Sequence, residues 1–136
     1  MATKTSSRAA AGVQPRGNRP FECVTVNYTL DSSLSAGDVI QMVWVPTNAR
    51  VTFVAVTMPL GIGVANVGDG LDTDRYVNLN FSAAAPYTII NTPYTSYTYS
   101  ADDTIDVQIS LVSAGGSASS GTISLTAHFV IDNSLT

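Results

Sequence analysis

The sequence predicts an all-β protein, a single β-sandwich of jelly-roll or immunoglobulin-like topology that follows an extended N-terminal arm. Short apolar runs alternate with polar residues at a period of two, which is the spacing of half-buried strands. Turn signals rich in Gly, Pro, Asn and Ser separate these runs, and no segment has the periodicity of an amphipathic helix. The 136 residues fit one domain.

Residues 1–20 differ in composition from the rest of the chain and predict a flexible basic arm. They are rich in small and polar residues, and they lack both apolar periodicity and the apolar core of a secretory signal. The arm carries a charge of +4 with no acidic residue, whereas the predicted sandwich body at 21–136 carries −8. Such an arm suits contact with an acidic neighbour, although a disordered tail has the same composition. Its basic residues are Lys4, Arg8, Arg16 and Arg19.

Three strands are predicted in the first half of the body. Residues 22–30 alternate between apolar and polar side chains, which indicates a half-buried strand. The runs at 39–45 and 49–58 are β-branched and apolar on both faces, and they predict central or covered strands. Glycines punctuate the next region and predict a long ordered loop. These glycines are Gly61, Gly63, Gly68 and Gly70.

Five more strands are predicted in the second half. Residues 75–81 follow the loop, and the runs at 87–90 and 94–100 suit shorter or edge strands. The runs at 105–111 and 123–131 alternate most regularly, and a tip rich in Gly and Ser joins them. One side of the last strand carries no charged residue and is expected to pack on a neighbouring subunit. That side consists of Thr122, Ser124, Thr126 and His128.

The composition restricts the possible functions. Charged residues make up 12% of the chain, about half of the roughly 25% found in soluble domains, so much of the surface is uncharged and suited to burial between subunits. Cys23 and His128 are the single cysteine and histidine, which leaves no disulfide, catalytic triad or zinc site. The acidic body disfavours nucleic acid, and no apolar run is long enough for a membrane helix. We expect no enzymatic activity and no cofactor.

The most distinctive segment is VGDGLDTDRY at 67–76, where three aspartates precede Arg75. A bound cation could neutralise them, although their spacing is not that of an EF-hand. The preferred interpretation is a turn in which Asp69-Gly70 supplies left-handed backbone, aspartates cap local N–H groups and Arg75 neutralises part of the charge. The other two aspartates are Asp72 and Asp74.

A second cluster consists of Tyr94, Tyr97 and Tyr99, which lie beside small polar residues. This composition is typical of surfaces that contact carbohydrate or protein, and packing of an edge strand would explain it equally well. Together with Asp69, Asp72, Asp74 and Arg75, these tyrosines are the predicted interface or ordered-loop residues.

Two stretches carry a resemblance to a known family. The segments GDVIQMVWVPTNARV at 37–51 and VGDGLDTDRYV at 67–77 resemble small virion proteins of tailed phages. Proteins of this kind are similar to capsid cement, or decoration, proteins, which are small β-sandwiches. The resemblance implies a homotrimer on the exterior of the capsid that binds over junctions of the major capsid protein and stabilises the head. The basic arm would lie across neighbouring shell subunits.

Two other functions stay open from the sequence. A receptor- or glycan-binding module of a head or tail fibre would use the tyrosine cluster and expose aromatic rings in a groove. A β-sandwich hydrolase would use Asp102, Asp103 and Asp106 as acid and base, but these residues fit a capped turn and one strand position better.

Overall fold

The structure is a computed structural model, and it describes residues 2–6, 21–30, 35–59, 62–80, 87–91, 97–112 and 121–131. Within these ranges the chain forms strands and turns, and no helix that could cross a membrane is present. The strands are β1 (Thr3–Thr5), β2 (Phe21–Thr29), β3 (Val39–Val45), β4 (Ala49–Met58), β5 (Ile62–Gly68), β6 (Val77–Asn80), β7 (Tyr87–Asn91), β8 (Asp103–Val112) and β9 (Thr122–Ile131).

These strands form two sheets, of five strands in the order β1-β3-β8-β5-β6 and of four strands in the order β2-β9-β4-β7. Strands β2 to β9 pair first with last: β2 with β9, β3 with β8, β4 with β7, and β5 with β6, all antiparallel. This is a long hairpin rolled up into two sheets, which is the jelly-roll arrangement. The all-β sandwich prediction is confirmed, and the strand order selects the jelly roll over the immunoglobulin topology.

The core lies between the two sheets and consists of the side chains that the alternation predicted to face inward. On β8, Ile105, Val107 and Ile109 are fully buried, and on β2 Val24 and Val26 are buried while their neighbours are exposed. Strand β4 lies between β9 and β7 in the middle of its sheet, as its two apolar faces predicted. The largest buried side chains include Tyr99, Phe129, Ile40, Met42 and Met58.

Two sequence-based predictions about strands were wrong. The glycine-punctuated region expected to be a loop contains β5, which lies between β8 and β6, because glycine weakens a strand without excluding it when both neighbours pair with it. The strand expected at 94–100 is absent from its described part, 97–100. There only Thr98 makes an isolated bridge, with Arg50.

The start of the predicted arm lies on the body. Strand β1 pairs in parallel with β3, so that Thr3 lies opposite Val39 and Thr5 opposite Gln41. Ser6 is buried and its hydroxyl donates to the Met42 carbonyl at 2.6 Å. Residues 2–6 therefore differ from the flexible segment that the composition predicted. Residues 7–20, with Arg8, Arg16 and Arg19, lie outside the described residues, and for them the arm stays a prediction.

A buried carboxylate anchors β1 to the turn before β3. The N–H groups of Ser35 and Ala2 donate to Asp38 at 3.0 and 3.1 Å. The hydrogen bond from Ser35 is the main cause that lowers the pKa of Asp38, and the bond from Ala2 and the charge of Lys4 act in the same direction against the effect of burial. Asp38 therefore stays ionised and ties the first residues of the chain to the five-stranded sheet.

Candidate functional site

The loop that follows β5 meets the segment that precedes β8 at one end of the sandwich, and Asp69 lies at the centre of this junction. The Asp69 side chain is fully buried. Its Oδ1 accepts hydrogen bonds from the N–H groups of Leu71 and Asp72 at 3.0 and 2.9 Å. Its Oδ2 accepts from Nε of Arg75 at 2.6 Å and from the hydroxyl of Tyr99 at 3.0 Å. One carboxylate thus holds the loop and the segment together.

A chain of hydroxyl groups extends this junction into the core. The hydroxyls of Tyr76 and Tyr99 are 2.6 Å apart, and both side chains are buried. A hydroxyl has one proton to donate, and Tyr99 donates it to Asp69. Tyr76 must therefore donate to Tyr99, which gives the order Tyr76 to Tyr99 to Asp69.

The guanidinium of Arg75 covers the outer side of the junction. It lies over the Tyr97 ring at 3.5 Å from the centroid, and the rings of Tyr97 and Tyr99 meet edge to face at 5.1 Å. Arg75 also lies 3.8 Å from the carboxylate of Asp72, whose side chain is 45% exposed. Arg75 therefore neutralises Asp69 and at the same time stacks on Tyr97, which in turn packs against the buried Tyr99.

The protonation of the junction follows from burial and hydrogen bonds. Burial alone would raise the pKa of Asp69, but the hydrogen bonds from Arg75, the two N–H groups and Tyr99 outweigh it and lower the pKa. Burial raises the pKa of both Tyr76 and Tyr99 well above its ordinary value. The pKa of Arg75 is raised because the bond to Asp69 outweighs its own burial. Asp69 is thus an anion held between a cation and two neutral phenols.

Gly68, at the end of β5, lets the loop fold back onto the outer face of the five-stranded sheet. A Cβ atom placed on Gly68 would lie 2.1 Å from the carbonyl oxygen of Asp72 and 2.6 Å from that of Thr73. Gly68 is opposite Asp106 on β8 in the sheet register. Because Gly68 has no side chain, the loop backbone can lie beside Asp106, and Asp106 is only 9% exposed.

Asp106 is the second buried carboxylate of this region, and it has a different environment. Its Oδ1 accepts a hydrogen bond from Thr104 Oγ1 at 2.6 Å. Burial raises the pKa of Asp106 to about 7, the hydrogen bond from Thr104 opposes this, and the charges of Asp103 and Asp69 add to the increase. The sequence placed Asp106 on a strand but did not indicate its burial. The loop that covers Asp106 is distant from it in the sequence and approaches it only in the folded chain.

The structure brings together five of the predicted interface or ordered-loop residues: Asp69, Asp72, Arg75, Tyr97 and Tyr99. Asp74 is exposed on the same loop, and Tyr94 lies outside the described residues. The prediction for this turn is correct in two respects: an aspartate caps local N–H groups, and Arg75 neutralises part of the charge. It is wrong in its backbone, since Gly70 does not adopt a positive φ; the described residues that do are Gly37, Asn48 and Gly121. Sequence reasoning missed Tyr76, the first donor of the hydroxyl chain.

The other acidic side chains near the junction fix local backbone. Asp102 Oδ1 accepts from both the N–H and the hydroxyl of Thr47, at 2.8 and 2.9 Å. The carboxylate of Asp103 accepts from the N–H groups of Thr104 and Gly70. Across the described part of the chain, no three His, Cys, Asp or Glu side chains are grouped so that they could hold a metal ion.

The outer face of the four-stranded sheet is a broad surface of uncharged side chains. On β9 the ring of His128 lies between Phe53 and Phe21, with centroid distances of 4.6 and 5.6 Å. Thr25 and Thr126 share a hydrogen bond of 2.8 Å across the strands. The exposed Arg50 is opposite Val130, near one end. The outward residues also include Cys23, Asn27, Thr29, Ala55, Thr57, Thr122 and Ser124.

Two further features of this face concern Cys23 and the last strand. Cys23 is an exposed thiol because β2 turns its odd-numbered side chains outward. Ser124, Thr126 and His128 lie on one side of β9, as the alternation predicted. Phe21, which is 51% exposed, adds an apolar group that the sequence alone placed at the boundary of the arm.

Comparison with known proteins gives structural similarity only. The sequence matches no family profile, and no curated protein is significantly similar to it. The fold is similar to a chain of the capsid of Ralstonia phage GP4, with a TM-score of 0.77 and 16% identity, over 96% of this chain and 99% of that one. A chain of the capsid asymmetric unit of cyanophage Pam1 gives a TM-score of 0.63 at 14% identity, over 88% and 93% of the two chains. A chain of the acid-stable capsid of Helicobacter pylori bacteriophage KHP30 gives 0.50 at 15% identity, over 81% and 92%.

Proposed function

We propose that this chain is a structural protein of a bacteriophage capsid without enzymatic activity, and that it acts as a cement protein. In this role it would bind over junctions of the major capsid protein on the exterior of the head and stabilise them. The observation that carries the proposal is the similarity to a chain of the GP4 capsid over nearly the full length of both chains.

The uncharged outer face of the four-stranded sheet supports assembly with further copies. A face that presents hydroxyl groups and three aromatic rings, with its charged Arg50 near one end, loses little favourable hydration when another subunit covers it. We propose that this face packs between subunits of a homotrimer. Several weak contacts made by one trimer then act together when it binds the shell.

A negative charge in the middle of this face is expected to separate the subunits. Thr126→Glu would bury one carboxylate in each subunit interface, and a buried charge without a partner costs several kcal/mol, so the association constant should fall at least about 100-fold. Sedimentation equilibrium should show a mass near three times 14.2 kDa for the parent and near 14.2 kDa for the variant. Ser110→Glu, an exposed position on the other sheet, should leave the mass unchanged. Equal masses for the parent and Thr126→Glu would contradict the assignment of this face.

The predicted basic arm provides the test of shell binding. Replacing Arg8, Arg16 and Arg19 by Gln keeps β1 and its contacts with β3 but removes three positive charges from residues 7–20. We expect binding to empty heads of the source virus to weaken about 10- to 100-fold, and more so at low salt, because contacts between exposed charges are screened by ions. Occupancy and the temperature of head rupture are the measurements. A version that lacks residues 1–20 is a less selective comparison because it also uncovers the edge of β3.

These experiments separate the cement role from the alternatives. A protein that binds heads and raises their rupture temperature is a cement protein, and it should be abundant in purified virions. A protein that ignores heads, is rare in virions and binds soluble glycans would instead be a fibre module. The described tyrosines at this end of the sandwich give that alternative little support, since Tyr76 and Tyr99 are buried and the ring of Tyr97 contacts Arg75 and Tyr99.

A further inference from the structure

A groove of about 270 Å³ lies on the outer face of the five-stranded sheet, away from the uncharged face of the other sheet. Its residues come from β1, from β3 and β8, and from the loop after β5. A groove of this size can accommodate one long side chain. The lining residues are Thr3, Val39, Gln41, Asp69, Gly70, Thr73, Asp106 and Gln108.

The groove contains a carboxylate that its own surroundings satisfy only in part. Asp106 is 9% exposed, and among the described residues only Thr104 donates a hydrogen bond to it, on Oδ1. Its Oδ2 receives no hydrogen bond from the described part of the chain. Asp69, the other carboxylate of the lining, has all its acceptor positions directed to Arg75, Tyr99 and two N–H groups. The groove therefore has one carboxylate oxygen available for a donor from outside.

The charges around Asp106 favour a cation as that donor. On its own strand the nearest charged group is Asp103, and at the end of β5 it is Asp69; both are negative and act on Asp106. Strand β3 contributes the neutral Val39 and Gln41 to the lining, and β1 contributes the neutral Thr3. Lys4, also on β1, is not part of the lining, and its charge acts on Asp38. Arg75 is committed to Asp69 and Asp72. An incoming ammonium or guanidinium would thus meet negative potential and a hydrogen-bond acceptor.

We propose that this groove is a binding site for one cationic side chain, a lysine or arginine presented by a partner polypeptide, with the Asp106 carboxylate as its counter-charge. The hydroxyl and amide groups of Thr3, Gln41, Thr73 and Gln108 surround the carboxylate and complete the recognition of the N–H groups. The inference goes beyond the proposed function, and its test needs no viral particle.

The site should bind more tightly as the pH rises, because only the ionised carboxylate attracts a cation. With the pKa of Asp106 at about 7 in the free protein, roughly 3% of the groups are ionised at pH 5.5 and nearly all at pH 8.5. The apparent dissociation constant scales with the inverse of this fraction, so affinity should increase about 30-fold between these pH values. A groove that recognised a neutral donor would show no increase of this kind.

The experiment follows the carboxyl carbon of Asp106 and the amide of Gln108 by NMR in the full-length protein. The probes are N-acetyl-arginine methylamide and N-acetyl-lysine methylamide, and the matched control is the citrulline derivative, which has the shape of arginine without its charge. We expect the two cationic probes to shift both signals with the stated pH dependence and the citrulline compound to leave them unchanged. Asp106→Asn should abolish the response of the Gln108 amide, whereas Asp102→Asn, the same change outside the groove, should preserve it.

Three results would overturn the proposal. Equal responses to the arginine and citrulline derivatives would mean that charge is not recognised. Calcium or sodium chloride that shifts the same signals at lower concentration than the probes would assign the groove to an inorganic cation. The chain's own segment would be the occupant if Asp106 titrates near its ordinary value in the free protein and near 7 only after Arg8, Arg16 and Arg19 are replaced by Gln.

Discussion

Replacing Asp69 by Asn is expected to lower the free energy of unfolding by about 3–5 kcal/mol, which is a large share of the stability of a domain of this size. The reason is the buried charge that would remain. Arg75 is 14% exposed and would keep its positive charge next to a neutral amide, and Tyr99 would lose the anion to which it donates. Breaking one side of a buried pair costs more than the pair itself contributes, because the remaining charge stays desolvated.

Urea unfolding at neutral pH measures this effect, and Asp72→Asn is the matched control. Asp72 carries the same charge on the same loop, but its side chain is 45% exposed and lies 3.8 Å from Arg75. A pair of this kind contributes about 0–1 kcal/mol, so the control should stay close to the parent. If the two variants lose similar amounts of stability, the buried position of Asp69 is not what holds the junction together.

Asp106→Asn is expected to have the opposite sign and to stabilise the protein above neutral pH. The pKa of Asp106 is about 7 in the folded state and about 3.9 in an unfolded chain. Between these values the folded state holds more protons, so the contribution of this group to stability falls as the pH rises from 4 to 7 and stays low above 7. The asparagine side chain does not ionise, and its amide oxygen can still accept the hydrogen bond from Thr104.

The size of this gain follows from the pKa difference and from the exposure of the groove. Three pKa units correspond to about 4 kcal/mol, and partial contact with solvent reduces this to about 2–4 kcal/mol at pH 8. At pH 4 the two proteins should agree within about 0.5 kcal/mol, because Asp106 is protonated in the folded parent. Comparing urea unfolding of parent and variant at both pH values cancels the contribution of Asp69, which is common to them. Equal stabilities at pH 8 would show that Asp106 is solvated.

A loss of binding in Asp106→Asn together with a gain of stability would separate a binding role from a structural one. A residue kept for packing or folding destabilises the protein when it is replaced. A carboxylate that costs stability at neutral pH is better explained by a task that needs its charge. The two measurements on one variant therefore test the groove from independent directions.

The acidic loop shows how far local sequence reasoning reaches. Asp69, Asp72 and Arg75 lie within seven residues, and the prediction that they cap and neutralise one turn is correct because these contacts are local. Tyr99 is 30 positions away, and its bond to Asp69 depends on how the segment before β8 returns to this end of the sandwich. The sequence left two explanations of the tyrosine cluster, a contact surface or the packing of an edge strand. In the fold, Tyr99 of that cluster is buried, whereas Tyr97 is half-buried.

The sequence by itself determined the features that depend on periodicity and composition. The alternation on β2, β8 and β9 fixes which side chains enter the core, because a slip of one residue would turn every apolar side chain outward. The low charge and the basic first segment are likewise properties of the chain before it folds.

Only the tertiary structure determined how the strands pair, and this pairing in turn determined where the sites lie. Pairing of β2 with β9 and of β3 with β8 joins residues about 60 to 110 positions apart. The alternation within a strand is the same whichever strand it pairs with, so it does not identify the partner. The same pairing places Gly68 opposite Asp106, which lets the loop cover that carboxylate and raises its pKa. Burial and electrostatic fields arise from such distant neighbours, and for that reason the groove could not be predicted from the sequence.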